Sequence, residues 1–330
     1  MEQEQRVAVV TGAGAGAGRA IAERFGREGW RVALLARSRP RLEAAKATIE
    51  STGGEALVLP TDMSDAKAVF AARDAVLQAW GAIDAWINAA MATVVGPMAE
   101  VTPDEFRRVT ETTYLGYVYG TLAALEPMRA KGHGAIVQVG SALAYRAIPL
   151  QGAYCACKFA IRGFSDALRA ELLHQGSAVT VTMLQMPGMN TPQFDWARNK
   201  LTTEYQPVGE VFDPVIAGEA AWRAVQEGPR ELWVGGSAVQ AILGQMAAPN
   251  LLDRYISKAA WDGQVTSTPN PHAPDNLFEP PAGDPGVRGR FGARAKSRAL
   301  ILDPTKARTA FGLAAIGGLG ALVALRLAKN

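Results

Sequence analysis

The stretch Thr11-Gly12-Ala13-Gly14-Ala15-Gly16-Ala17-Gly18 constrains the fold of this chain more than any other, because of what flanks it. Arg6 to Val10 is a short apolar run of strand length, and Arg19 to Glu28 is amphipathic at helical spacing. Strand, glycine turn and helix in direct succession open a βαβ unit. Glycines let the backbone turn sharply and approach a pyrophosphate, which the positive end of the next helix holds. A merely flexible turn is the alternative, and the placement argues against it.

A second strand, Arg31 to Ala36, follows at the βαβ distance and leads into Arg37-Ser38-Arg39. A site selective for NAD would place an acid here for the ribose 2′-hydroxyl. A guanidinium pairs with a 2′-phosphate instead, so Arg37 favours NADP(H) over NAD(H). The alternation continues with a strand Ala56 to Leu59, a helix from Ser64 to Trp80 and a strand Ala85 to Asn88. Thr102-Pro103-Asp104-Glu105 then opens a long helix with a capping box and a proline in the first turn. Further strands are expected at Ala135 to Val139, Val179 to Gln185 and Glu231 to Val234. The pattern predicts an α/β fold over residues 1–248: a doubly wound (Rossmann), mostly parallel, seven-stranded sheet with helices on both faces. Such sheets bind ligands beyond the carboxyl ends of their strands.

Chemistry is expected between Ser141 and Lys158, just past one of those ends. Tyr154 and Lys158 stand four apart at the start of a helical segment, Ala153 to His174, and so share a face. An ammonium beside a phenol favours phenolate and lowers its pKa toward a range useful for acid/base work. Ser141 adds a hydroxyl able to hydrogen-bond a substrate oxygen. A Tyr-x-x-x-Lys pair alone is common on solvated helix surfaces; the glycine loop elsewhere in the domain gives this one its weight.

From about Pro249 the alternation stops, and prolines from Pro249 to Pro285 predict a loop-rich extension over residues 249–304. Thr309 to Leu325 is uncharged, so residues 305–330 read as an apolar C-terminal helix that anchors the chain to a membrane. Residues 1–285 hold 25 basic and 30 acidic side chains, a balance of −5; residues 286–330 hold nine and one, a balance of +8. That asymmetry predicts an anionic partner, such as a membrane surface, for the tail alone. Nothing in the pattern points to nucleic acid. The polar, acidic start predicts no secretory signal, and the expected location is cytoplasmic, attached to the cytoplasmic face of a membrane. Three scattered histidines make no metal cluster, and Cys155 and Cys157 read as small buried helix residues.

Taken together, these residues resemble the short-chain dehydrogenase/reductase family, as a bacterial-type member with a C-terminal extension. Thr11-Gly12-x-x-x-Gly16-x-Gly18 is similar to its cofactor motif, and Ser141 with Tyr154-x-x-x-Lys158 to its catalytic one. Asp62-Met63 resembles the family's adenine-contacting pair, Asn88-Ala89-Ala90 a degraded Asn-Asn-Ala-Gly, and Pro187-Gly188 with Thr191 the nicotinamide-side loop. The resemblance implies hydride exchange between nicotinamide and a carbonyl or alcohol carbon. Tyr154 would exchange the proton, Ser141 would steady the oxygen, and Lys158 would lower the tyrosine pKa and hold the nicotinamide ribose. It also implies a homo-oligomer, paired through the fourth and fifth long helices. Two departures stand out: Thr113 occupies the place of the family's relay asparagine, and Met91 that of a glycine. Met91, Leu143, Leu150, Met186, Met189, Phe194 and Trp196 are candidate walls for a lipophilic small molecule. The rival reading is a membrane-associated NADP(H)-binding scaffold or redox sensor with weak or lost catalysis.

Overall fold

Runs such as Val7-Ala8-Val9-Val10 carry no polar alternation, which is the composition of a strand covered on both faces. In the computed structural model, which describes residues 5–270 and 274–309, these runs lie inside one sheet. Its strands are β1 (Val7–Thr11), β2 (Arg31–Ala36), β3 (Glu55–Pro60), β4 (Ala85–Asn88), β5 (His133–Val139), β6 (Ala178–Gln185), β7 (Glu231–Val234) and β8 (Ile301–Leu302). Their spatial order is β8-β7-β6-β5-β4-β1-β2-β3. The first seven are parallel, and Val9 pairs with Ala33 on one side and Trp86 on the other. The order therefore reverses between β1 and β4, where a cleft opens at the strand ends.

The helices are α1 (Gly16–Arg27), α2 (Arg39–Glu50), α3 (Ala66–Trp80), α4 (Pro103–Thr110), α5 (Gly116–Lys131), α6 (Gly152–His174), α7 (Val215–Glu227), α8 (Gly236–Ala247) and α9 (Pro249–Gln264). Successive residues of β1 face opposite cores. Ala8 and Val10 pack with Ile21 and Phe25 of α1, Leu42 of α2 and Ala220 of α7. Val7 and Val9 pack with Val69 of α3, Met128 of α5 and Leu168 of α6. Full burial of a side chain such as Phe25 contributes about 1.5–3 kcal/mol.

Local signals set the boundaries. The Asp65 carboxylate accepts from the backbone N–H groups of Lys67 and Ala68 to start α3, and Gly81, at φ 77°, ends it. Thr102 and Glu105 close the capping box of α4 reciprocally. Between α4 and α5, Glu111–Leu115 forms one π-helical turn.

The structure corrects the sequence reading in three places. Among the described residues the sheet has eight strands rather than seven: β8, from the extension, pairs antiparallel with β7, matching Leu302 to Trp233 and Ile301 to Val234. The extension is not loop-rich from its start, because residues 249–264 form α9. Pro249 falls at its first turn, where a missing N–H costs nothing. The basic stretch, finally, is matched in part by the chain's own acids. Arg288 pairs with Asp213, Arg290 with Asp195 and Glu204, Lys296 with Glu210, and Lys306 with Glu227. The expected tail helix falls mostly on residues 310–330, outside the described residues. Among the described residues no helix is long and apolar enough to cross a membrane.

Candidate active site

The glycine loop forms one end of a cavity of about 810 Å³ above the strand ends, with Gly12, Gly14, Gly16 and Gly18 in its wall. Two of these positions admit no side chain. A Cβ on Gly12, at φ +70°, would come within 2.8 Å of Ala90 Cα, and one on Gly18 within 2.3 Å of the Gly12 carbonyl oxygen. The sharp turn places the start of α1, with Gly16, Ala17 and Gly18, in the cavity wall.

Next to this loop stand Arg37, Ser38, Arg41, Asp62 and Met63. Arg37 donates to the carbonyls of Asn276 at 2.5 Å and Phe278 at 2.6 Å, and burial lowers its pKa. Burial works to raise the pKa of Asp62, but hydrogen bonds from Arg108, at 2.6 Å, and from Ser64 outweigh it and hold the carboxyl below its usual range.

At the other end the cavity holds Ser141, Tyr154 and Lys158 together. The Ser141 hydroxyl accepts from Leu143 N–H at 3.1 Å. The Lys158 ammonium, fully buried, donates to the Val139 carbonyl at 2.7 Å and to Tyr117 Oη at 3.1 Å, and lies 5.3 Å from the Tyr154 ring centroid. Here the expected pKa direction is reversed. Burial raises the Tyr154 phenol above 10, the Ser141 hydrogen bond opposing it, and lowers Lys158 to about 7. Desolvation behind apolar walls disfavours both charged forms and outweighs their attraction.

Pro187, Gly188 and Thr191 line the cavity, as do Met91, Leu143, Met186, Met189, Phe194 and Trp196. Leu150 does not: at φ 67° it turns into a separate apolar cluster with Val95, Phe194 and Tyr205. Three other expected site residues are also buried away from the cavity. Thr11 Oγ1 accepts from the N–H groups of Ala89 and Ala90, at 2.9 and 3.1 Å, so it ties β1 to the loop after β4. Asn88 donates to Gln138 at 3.0 Å and Thr121 at 3.2 Å and accepts from Trp86 Nε1 at 2.9 Å, because its side chain faces α5. Thr113 Oγ1 accepts from Ala92 N–H and donates to the Ala92 carbonyl, both at 2.9 Å. It fixes a loop rather than holding a water in the cavity. Its neighbour Thr112 lines the cavity instead, and among the described residues its buried hydroxyl has no partner.

A model described as short chain dehydrogenase matches residues 6–201, which include β1 to β6 of the sheet, the glycine loop and the Ser141, Tyr154 and Lys158 cluster. The chain belongs to the short-chain dehydrogenase family. It is accordingly an oxidoreductase of the NAD(P)-dependent type. YxnA of Bacillus subtilis (strain 168), an uncharacterized oxidoreductase, is 28% identical over 329 residues, covering 98% of this chain and 91% of its own. A short-chain dehydrogenase from Streptomyces avermitilis superposes with a TM-score of 0.67 at 26% identity, covering 79% of this chain and 99% of that one. An alcohol dehydrogenase from Thermococcus sibiricus, complexed with 5-hydroxy-NADP, gives 0.60 at 27% identity, covering 70% and 96%.

This short-chain dehydrogenase closes one side of its cavity with α8 and α9, through Ala238, Ala241, Leu252, Tyr255, Ile256 and Ala259. Arg146 fastens these helices to the loop before α6, donating to Gln245 at 2.9 Å and Asp253 at 2.5 Å. Sequence reasoning missed this wall, although Leu252, Ile256 and Ala259 recur at helical spacing. Cys155 and Cys157 are buried thiols that burial raises to about 11, which disfavours their thiolate forms.

Proposed function

We propose that this short-chain dehydrogenase binds NADP(H) along the cavity and acts chiefly as a reductase of a lipophilic carbonyl compound, forming the alcohol. The observation that carries the reading is the layout of one cavity: glycine loop and paired guanidinium groups at one end, Ser141, Tyr154 and Lys158 among apolar walls at the other. Bound dinucleotide supplies the hydride at C4 of its nicotinamide. The backbone N–H groups of the glycine loop hold the pyrophosphate, Arg37 and Arg41 the 2′-phosphate, and Pro187, Gly188 and Thr191 the nicotinamide side. Ser141 donates a hydrogen bond to the substrate oxygen. Tyr154, whose raised pKa keeps it protonated at neutral pH, gives that oxygen its proton. In its protonated form Lys158 uses two of its three N–H groups on Val139 and Tyr117, leaving the third for the nicotinamide ribose. The apolar walls keep water from the reacting carbon and suit a lipophilic substrate. The NADP analogue in the Thermococcus sibiricus relative supports the cofactor choice.

The uncharged run Thr309 to Leu325 supports attachment at the cytoplasmic face of a membrane. Exposed Leu122 on α5 and Phe159 on α6 support pairing of two copies.

The cofactor assignment is tested by titrating NADPH and NADH against wild type and Arg37→Asp, following nicotinamide fluorescence. Losing a charge-assisted contact and adding a like charge should cut the NADPH preference by about 10–100-fold. An unchanged preference would remove Arg37 from the phosphate site.

A further inference from the structure

Residues 276–291 of the extension run past the glycine-loop end of the cavity and are pegged at both ends. Leu277 is fully buried among Ala92, Val94, Val109, Ala153 and Cys157. At the far end, Gly289 N–H donates to the Asn190 carbonyl at 3.0 Å and Phe291 N–H to Asn190 Oδ1 at 2.8 Å. Between the pegs the chain arches past the glycine loop. Arg41 donates to the carbonyls of Pro281 and Gly283, Arg19 pairs with Asp284 at 2.7 Å, and Gly16 N–H donates to the Gly286 carbonyl at 3.1 Å. Asn276 and Pro280 are part of the cavity wall. Arg41 also stacks 4.6 Å from the Trp196 ring centroid, so α2 meets the nicotinamide-side loop across the cleft.

The chemistry of these contacts points to a phosphate-bearing ligand beneath the arch. Arg19, Arg24 and Arg31 are paired with carboxylates, whereas Arg37 and Arg41 give their hydrogen bonds to backbone carbonyls. A carbonyl fixes a guanidinium without cancelling its charge, and the positive potential stays available to the cavity. The arch itself is lightly held. Ala282, Gly283 and Asp284 are exposed, and Gly283 and Gly286 have φ of 85° and 67°. Segments with few apolar contacts open at little cost.

We propose that Phe278–Arg288 is a clasp over the dinucleotide: the cofactor enters and leaves only when the arch lifts from Arg41, Arg19 and Gly16, so the extension sets its residence time. The inference rests on the cleft being the NADP(H) site. The test is stopped-flow release of NADPH from the full chain, chased with excess NADP⁺, for wild type, Asp284→Ala and Pro281→Gly. Neither substituted residue lines the cavity, and glycine at 281 keeps the carbonyl while loosening the arch. Release should be at least about tenfold faster in both variants. Trypsin cleavage after Arg288, whose side chain is 58% exposed, should be slowed by NADPH in wild type. Release rates within about twofold of wild type in both variants, with NADPH bound by all three, would overturn the clasp and leave the cofactor reading standing. Cleavage at Arg288 indifferent to NADPH would count equally against the clasp. No saturable NADPH binding by wild type would overturn both.

Discussion

Replacing Thr113 with valine removes one hydroxyl and keeps the shape of the side chain. That hydroxyl accepts from the Ala92 N–H and donates to the Ala92 carbonyl, with Thr113 fully buried in the π-helical turn. Valine leaves two buried backbone groups unpaired, each costing ~1–3 kcal/mol, so the loss should be about 2–6 kcal/mol. For a domain of this size each kcal/mol lowers Tm by about 2–4 °C, which gives a fall of roughly 4–24 °C in thermal unfolding followed by circular dichroism. Serine, which restores the hydroxyl, should recover most of it; asparagine can donate and accept and should fall between. Because Ala92 lies between Met91 and Thr93, both in the cavity wall, the valine variant should also raise KM more than it lowers kcat. A valine variant melting within 1–2 °C of wild type would refute the assignment of Thr113 as a loop fastener.

Burial of Lys158 makes stability depend on pH. Its folded pKa of about 7 lies below the usual 10.5, so between those values the unfolded chain holds a proton that the folded chain lacks. Stability therefore rises with pH through that window, by about 2 kcal/mol between pH 7 and 9 relative to Lys158→Met, read by urea denaturation; equal pH dependence in the two proteins would show that Lys158 is not desolvated. Removing residues 310–330, and sparing Lys306 with its bond to Glu227, should move the protein from the membrane pellet to the supernatant. A full-length chain already in the supernatant would discredit the anchor.

Much of the fold was legible because local and tertiary signals agree. The apolar runs, the Thr102 capping box and the Gly12 and Gly18 positions each have a short-range cause, and the structure places them as expected. The site was legible only as far as its motifs. Asn88 sits at the end of a strand, but which face its side chain takes depends on Gly120 leaving room in α5: a Cβ there would meet Asn88 Oδ1 at 2.3 Å. Thr112 and Thr113 are adjacent, and the π-helical turn decides which one reaches the cavity. The pKa of Tyr154 followed burial, which sequence spacing does not report. The basic stretch looked unpartnered because its acids, from Asp195 to Glu227, lie 75 to 95 residues away along the chain: Arg288 with Asp213 (75), Lys306 with Glu227 (79) and Arg290 with Asp195 (95).

The central claim is that Tyr154 delivers the proton while the dinucleotide delivers the hydride. It is tested most directly by NADPH consumption at neutral pH across apolar ketones, quinones and aldehydes, with wild type and Tyr154→Phe compared. The account predicts turnover of at least one such substrate by wild type, a loss of at least about 100-fold in the phenylalanine variant, and NADPH affinity within about threefold. A phenylalanine variant that turns over as fast as wild type would contradict it.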